Sequence, residues 1–148
     1  MDAEEIIECL QLEPHPEGGR YRQTWRASAK ADQRAAGSAI YFLLRRGEVS
    51  HWHRVDAAET WHFYEGAPLE LRISTDGATE QVVALGPDLA AGQRPQFVVP
   101  PGAWQSARSH GQHTLAGCTV SPAFEFEGFE LAAPDWSPAT SGELKTGD

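Results

Sequence analysis

Apolar positions change their spacing early in this chain. Ile6, Ile7 and Leu10 recur at the interval of one helix face, and Asp2 with Glu5 three residues later makes a capping-box pattern. A short helix over about residues 3–12 is predicted, ended before Pro14 because the residue preceding a proline avoids the helical region. Pro14-His15-Pro16-Glu17-Gly18-Gly19 follows as a breaker-rich turn, where His15 between two prolines is expected to make a turn-stabilising hydrogen bond. Beyond it the period falls to two. Ala39 to Leu44 is an apolar run rich in strand formers, and Leu69, Leu71 and Ile73 alternate with polar residues. Asp76-Gly77 supplies a turn for a hairpin with Gln81 to Leu85. Gln96 to Val99 and Thr114 to Val120 read as further strands, as do the alternations Phe124/Phe126 and Phe129/Leu131. Many short strands between Gly/Pro turns predict an all-β sandwich or barrel, one domain over residues 1–136. The small polar residues after Trp136 predict a flexible tail over 137–148.

Length agrees with one domain: 148 residues lie within the usual range, and the 41% apolar and 22% charged fractions are ordinary for a globular protein. The formal charge of −9 argues against nucleic acid as the main partner, since phosphate binding needs a basic face. No stretch has the length and apolarity of a membrane span, and the acidic start Met1-Asp2-Ala3-Glu4-Glu5 lacks a signal-peptide pattern. Cys9 and Cys118 are too few for a disulfide scaffold and are read as buried free thiols, which fits a cytoplasmic location.

The densest chemistry lies between Gly47 and Gly66. On a strand over Val49 to His53, the imidazoles of His51 and His53 stand two residues apart and are predicted to share a face. Glu59 follows a short turn and shares a face of the next strand with Trp61 and Phe63. His51, His53 and Glu59 thus form a candidate metal set suited to Zn, Fe, Mn, Ni or Cu, with positions open to substrate. The bland alternative is a pair of half-buried strands whose histidines bond locally. His62 has the opposite parity and is expected at a surface or interface, and His110 and His113 are expected as solvated loop residues. Arg54 and Arg72 are candidates for binding a ligand carboxylate or phosphate, although surface ion pairs are the commoner fate. Nucleophile-elbow, phosphate-loop and dinucleotide motifs are missing from the sequence.

His51-x-His53, then Glu59, then six residues and Gly66 resembles the first motif of the cupins, which are double-stranded β-helix (jelly-roll) barrels. Pro100-Pro101-Gly102-Ala103-Trp104-Gln105 stands where their second motif belongs, with Gln105 in place of the usual histidine. The segments His15 to Arg22, Ala39 to Leu44, Ser50 to Tyr64, Val98 to Gln105 and Gly117 to Leu131 resemble one branch, the DUF985 or cupin 5 family, which has a yeast relative. The resemblance implies a barrel with an internal pocket, usually dimeric, and no settled activity. It departs in three places: five residues separate His53 from Glu59, Ala58 stands where an Asp is expected, and Gln105 offers only a neutral amide.

These features predict a small-molecule site inside the barrel, walled by Trp61, Phe63 and Trp104, with His51, His53, Glu59 and Gln105 at its polar end. As an enzyme, a metal would polarise a carbonyl or carboxylate during isomerisation, or His53 held by Glu59 would remove a proton next to a carbonyl without metal. The second route resembles sugar-nucleotide epimerases of the same barrel class. Metal-dependent oxygen chemistry is disfavoured by the missing histidine. A non-catalytic metabolite-binding module and a dimerising scaffold are the competing classes. A homodimer is expected from the resemblance and from the sheet edges an open jelly roll leaves.

Overall fold

A computed structural model describes residues 1–138. Helix α1 (Ala3–Leu10) begins with the capping box read from the sequence: the Glu5 N–H donates to Asp2 and the Asp2 N–H donates to Glu5, each at 2.9 Å. It ends at Leu10, because Gln11 turns left-handed at φ 56°. Ile6 and Leu12 bury against Leu43, so this segment covers the outer face of a sheet.

Eleven strands follow: β1 (Glu13–Pro14), β2 (Arg20–Arg26), β3 (Ser38–Arg45), β4 (Val49–Val55), β5 (Ala58–Gly66), β6 (Leu69–Ser74), β7 (Gln81–Leu85), β8 (Gln96–Val99), β9 (Trp104–Ser109), β10 (His113–Ser121) and β11 (Phe129–Leu131). They pair antiparallel in two sheets, ordered β1-β2-β3-β10-β5-β8 and β11-β4-β9-β6-β7. The architecture is all-β, as the alternating pattern predicts. Phe42, Leu44 and Trp61 of the first sheet pack with Leu69, Leu71 and Ile73 of the second to form the main core. Among the described residues no helix is long and apolar enough to cross a membrane.

Strands β2 and β9 escape the sequence pattern for a physical reason. β2 presents mostly polar side chains to solvent, and the inward positions of β9 are Gln105 and Ala107, which carry no apolar signature. Phe124 and Phe126 correct the expectation in the other sense. They lie in a loop that enters a 3-10 turn at Phe126–Gly128, and only Phe129 to Leu131 form a strand. Cys118 is buried as expected, whereas Cys9 is exposed on α1, and both thiols are free.

One irregularity decides the site. Between β4 and β9 the register steps from Ser50↔Ala107 to His53↔Gln105, leaving His51 and Trp52 opposite a single residue. Such a bulge re-aims the side chains that follow it. Its cause is the 15–19 turn: the His51 N–H donates to the Glu17 carbonyl at 2.8 Å instead of pairing with β9. On the outer side the His51 ring meets the Ala133 carbonyl at 2.8 Å, and Trp136 packs on Trp52 and Trp104 at centroid distances of 6.0 and 4.7 Å. These contacts fasten the segment after β11 to the sheet. Pro138 is buried, and the remainder of the expected tail, 139–148, lies outside the described residues.

The approach of the 15–19 turn to β4 depends on Gly18. Its φ is +110°, and a Cβ there would collide with the Val49 carbonyl oxygen. Gly47 has a similar φ of +83° but faces open space. Gly47→Ala is therefore expected to cost about 1 kcal/mol for the left-handed backbone alone. Gly18→Ala is expected to reach or exceed the upper end of roughly 1–3 kcal/mol, because the collision adds to the strain. Urea unfolding of both variants checks this, and equal losses would contradict the close approach.

Candidate functional site

Between the sheets, beside the 15–19 turn, lies a cavity of about 200 Å³. His15, Glu17, His53, Glu59 and Cys118 form its polar wall. Tyr21, Phe42, Trp61 and Val55 form much of the apolar wall, while Phe124 and the half-exposed Phe126 sit at the rim. Of the residues singled out in the sequence, His53, Glu59 and Trp61 meet here, with Gln105 directly behind Glu59. Three do not. His51 is turned outward by the bulge and holds Ala133; Phe63 packs against the core below the cavity. Trp104 lies on the outer face, packed against Trp136 at an interplanar angle of 42° and under the Arg54 guanidinium at 4.5 Å.

The centre of the polar wall is the Glu17 carboxyl. Its Oε1 is 3.3 Å from His15 Nδ1 and 3.4 Å from His53 Nε2. Backbone groups assign both rings. The Glu17 N–H donates to His15 Nδ1 at 3.1 Å, so that nitrogen carries a lone pair. His53 Nδ1 lies 2.7 Å from the His51 carbonyl, which only accepts, so Nδ1 bears the proton and Nε2 the lone pair. Glu17 Oε1 thus faces two acceptors, an arrangement that is repulsive for a carboxylate and favourable for a carboxylic acid. The Ser50 hydroxyl donates to Oε2 at 2.5 Å and leaves Oε1 as the protonated oxygen.

Burial reinforces this assignment. It pushes the Glu17 carboxyl up to about 8, against the opposing Ser50 bond. Burial, and secondarily the neighbouring His53, brings His15 down to about 4. His53 is likewise lowered by burial, which outweighs the attraction of Glu59. Neutral acid and neutral base therefore stand side by side in a water-poor pocket.

Glu59 is held differently. The Trp61 indole N–H, which can only donate, gives its proton to Gln105 Oε1 at 2.8 Å. The amide must then present its NH₂ to Glu59, and Gln105 Nε2 donates to Glu59 Oε1 at 2.8 Å. The Cys118 thiol also donates to Glu59. Burial raises the Glu59 carboxyl, with His53 opposing it, and raises the Cys118 thiol well above its usual range.

The expected transition-metal set does not fit this geometry. His51 is committed to Ala133 outside the cavity, and the Gln105 oxygen is committed to Trp61. Only His53 and Glu59 remain of the residues in the two cupin-like motifs that were expected at the metal. Among the described residues no group of three His, Cys, Asp or Glu is placed to hold a metal ion.

Sequence reasoning reached two of the five residues of the polar wall, His53 and Glu59. His15 makes the expected turn hydrogen bond, yet it also lines the cavity together with Glu17. The available signal was the pairing of a histidine and a glutamate inside a rigid Pro/Gly turn. Arg54 pairs with Glu130 at 2.7 Å and Arg72 with Glu70 and Glu80, so neither reaches the cavity. His62 leaves the opposite face, as its parity predicts, and touches the Thr119 hydroxyl at 3.1 Å. His110 lies 3.5 Å from Glu70, whereas His113 belongs to β10 and meets Glu65 at 2.7 Å.

Stability should respond to pH through these groups in two directions. Burial favours neutral His15 and His53 in the folded protein, so their contribution is full above about 6.5, the unfolded histidine value, and is lost at lower pH, for His15 as pH falls toward 4. Glu17 keeps its proton up to about 8 when folded but loses it near 4.3 when unfolded, so its contribution fades as pH rises between those values. Between about 6.5 and 8 the contribution of Glu17 still changes while those of the two histidines are already full. The midpoint of thermal unfolding is expected to fall across that window in the parent and to flatten in Glu17→Gln. Calorimetry at matched ionic strength checks this, and parallel curves for the two proteins would contradict it.

The chain matches the family described as Cupin superfamily (DUF985) over residues 4–132. An X-ray structure of a Shewanella oneidensis protein shares 44% identity at a TM-score of 0.85, covering 90% of this chain and 85% of that one. A hypothetical protein from Leishmania major shares 32% at 0.82, covering 90% and 88%. Oxalate decarboxylase from Bacillus subtilis aligns at 11% identity and a TM-score of 0.62, over 80% of this chain and 29% of that one, a likeness of fold alone. Among curated proteins none matches. Because the family match runs from α1 to just past β11, and the jelly roll is shared with solved cupin structures, the chain belongs to the DUF985 family of the cupin superfamily.

Proposed function

We propose that the cavity binds a small carbonyl-bearing metabolite and moves a proton on it without metal, as an isomerase or epimerase does. The observation that carries this reading is the Glu17 carboxyl set against the lone pair of His53 Nε2 at 3.4 Å. In the forward step His53 Nε2 takes a proton from the carbon next to the carbonyl, and Glu17 Oε1 gives its proton to the carbonyl oxygen. The substrate becomes an enol, while His53 becomes an imidazolium beside the Glu17 carboxylate. Charge stays balanced within the pair. In an α-hydroxy carbonyl compound, His53 returns its proton to the neighbouring carbon while the hydroxyl on that carbon gives its own to Glu17, which yields the isomer and restores both groups. Glu59, oriented by Gln105, positions the substrate. A cavity of about 200 Å³ falls below the roughly 300–1,000 Å³ of drug-sized pockets and suits a metabolite of a few carbons.

The test uses hydroxyacetone and dihydroxyacetone in deuterated buffer, with deuterium incorporation followed by NMR. The parent protein is expected to accelerate exchange next to the carbonyl, and His53→Gln and Glu17→Gln each to lose at least about 100-fold of that rate, the lower range for general acid–base catalysis. A chelator should change nothing. Absence of exchange by the parent would favour a non-catalytic binding module, and exchange abolished by chelation would return the chemistry to a metal.

A further inference from the structure

The two carboxyls of the cavity differ from the third buried acid of the described residues. Glu70 faces Arg72 at 2.6 Å and Arg108 at 3.2 Å. Among the described residues no Lys or Arg lines the cavity that holds Glu17 and Glu59. Buried carboxyls without a cationic partner are costly, and proteins keep them where a ligand or a reaction uses them.

Their hydrogen bonds give the two acids different characters. Glu17 faces two lone pairs and is an acid. Glu59 faces donors only: the Gln105 amide, whose orientation is imposed by Trp61, and the Cys118 thiol. Donors aimed at a carboxyl favour its ionised form, here against the burial that raises Glu59, and a cation seated beside it would tip that balance toward the carboxylate. What Glu59 lacks is a fixed positive charge: the Glu17 N–H leaves His15 Nδ1 without a proton, and burial pushes both imidazoles toward their neutral forms. The wall facing it is aromatic, with Tyr21, Phe42, Trp61 and Phe124, surfaces that accept a cation over their faces. The net charge of −9 draws cations and repels anions at long range.

We propose that the ligand of this cavity carries the missing charge: it is a small organic ammonium ion, with Glu59 as its counter-ion. The inference rests on the cavity being the ligand site, as in the preceding reading, and narrows the substrate to carbonyl compounds bearing a protonated amine. Anionic metabolites such as carboxylates and sugar phosphates are disfavoured, since among the described residues no Lys or Arg lines the cavity to receive them.

Three isosteric probes separate charge from shape: n-butylammonium, 1-butanol and butanoate, titrated at pH 7 against the full chain and followed by NMR. None has a carbonyl, so the result is independent of proton transfer. The expected order is butylammonium binding at least tenfold more tightly than butanol, with butanoate weakest. Glu59→Gln should erase the preference, and Glu8→Gln, at an exposed acid on α1, should keep it. Equal affinity for the three, no binding of any, or a preference that survives Glu59→Gln in a folded variant would overturn the proposal. Amine preference without isotope exchange would leave this assignment standing and remove the catalytic reading, whereas exchange without amine preference would do the reverse.

Discussion

Everything in the cavity turns on a proton held between one carboxyl and two imidazoles. Glu17 Oε1 lies within 3.4 Å of a ring nitrogen of His15 and one of His53; a backbone N–H fixes the lone pair on His15 Nδ1, and a backbone carbonyl fixes the proton on His53 Nδ1, which in the neutral ring leaves Nε2 as the acceptor. A carboxylate in that position would meet two lone pairs; an acid has one proton to offer, and His53 Nε2 is the acceptor still free to take it. The chemistry of the pocket is therefore set by main-chain hydrogen bonds made before any ligand arrives. Such preorganised groups need no rearrangement when charge develops, which makes them effective in a site closed to water.

The scaffold that holds this contact is a turn pressed against a bulge. Gly18 lets the 15–19 turn come close enough to β4 for the Glu17 carbonyl to take the His51 N–H, and that bond diverts β4 from β9. The same event separates the two histidines of the His-x-His pair. His53 goes inward to the carboxyl, and His51 goes outward to fasten the segment beyond β11. Gln105 acts in parallel on the second carboxyl: with its oxygen tied to Trp61, it serves as an orienting donor. The jelly roll, a fold that oxalate decarboxylase shares at 11% identity, thus carries in this chain a polar cluster in which, among the described residues, the expected ligand set does not converge.

Much of the fold was legible because its alternation is strong. The hairpin of β6 and β7, strand β8 and the capping box all stand where period and turn chemistry put them. Strand β9 was not, since its inward residues include a glutamine that is buried by side-chain bonding and not by apolarity. In the site, His53, Glu59 and Trp61 were legible from spacing. His51 and Trp104 were misplaced because a simple two-residue period knows nothing of a bulge or of aromatic stacking by Trp136, which is more than thirty residues away. Glu17 and His15 were hidden in a turn, where periodicity is silent and only tertiary contact brings them to β4.

The central claim concerns where protons sit on two rings, and nitrogen NMR reads that directly. In ¹⁵N-labelled protein at pH 7, long-range proton–nitrogen correlations should show His53 protonated on Nδ1 and His15 protonated on Nε2, opposite tautomers about one carboxylic acid. A His53 ring protonated on Nε2, or carrying both protons as an imidazolium, would contradict the account.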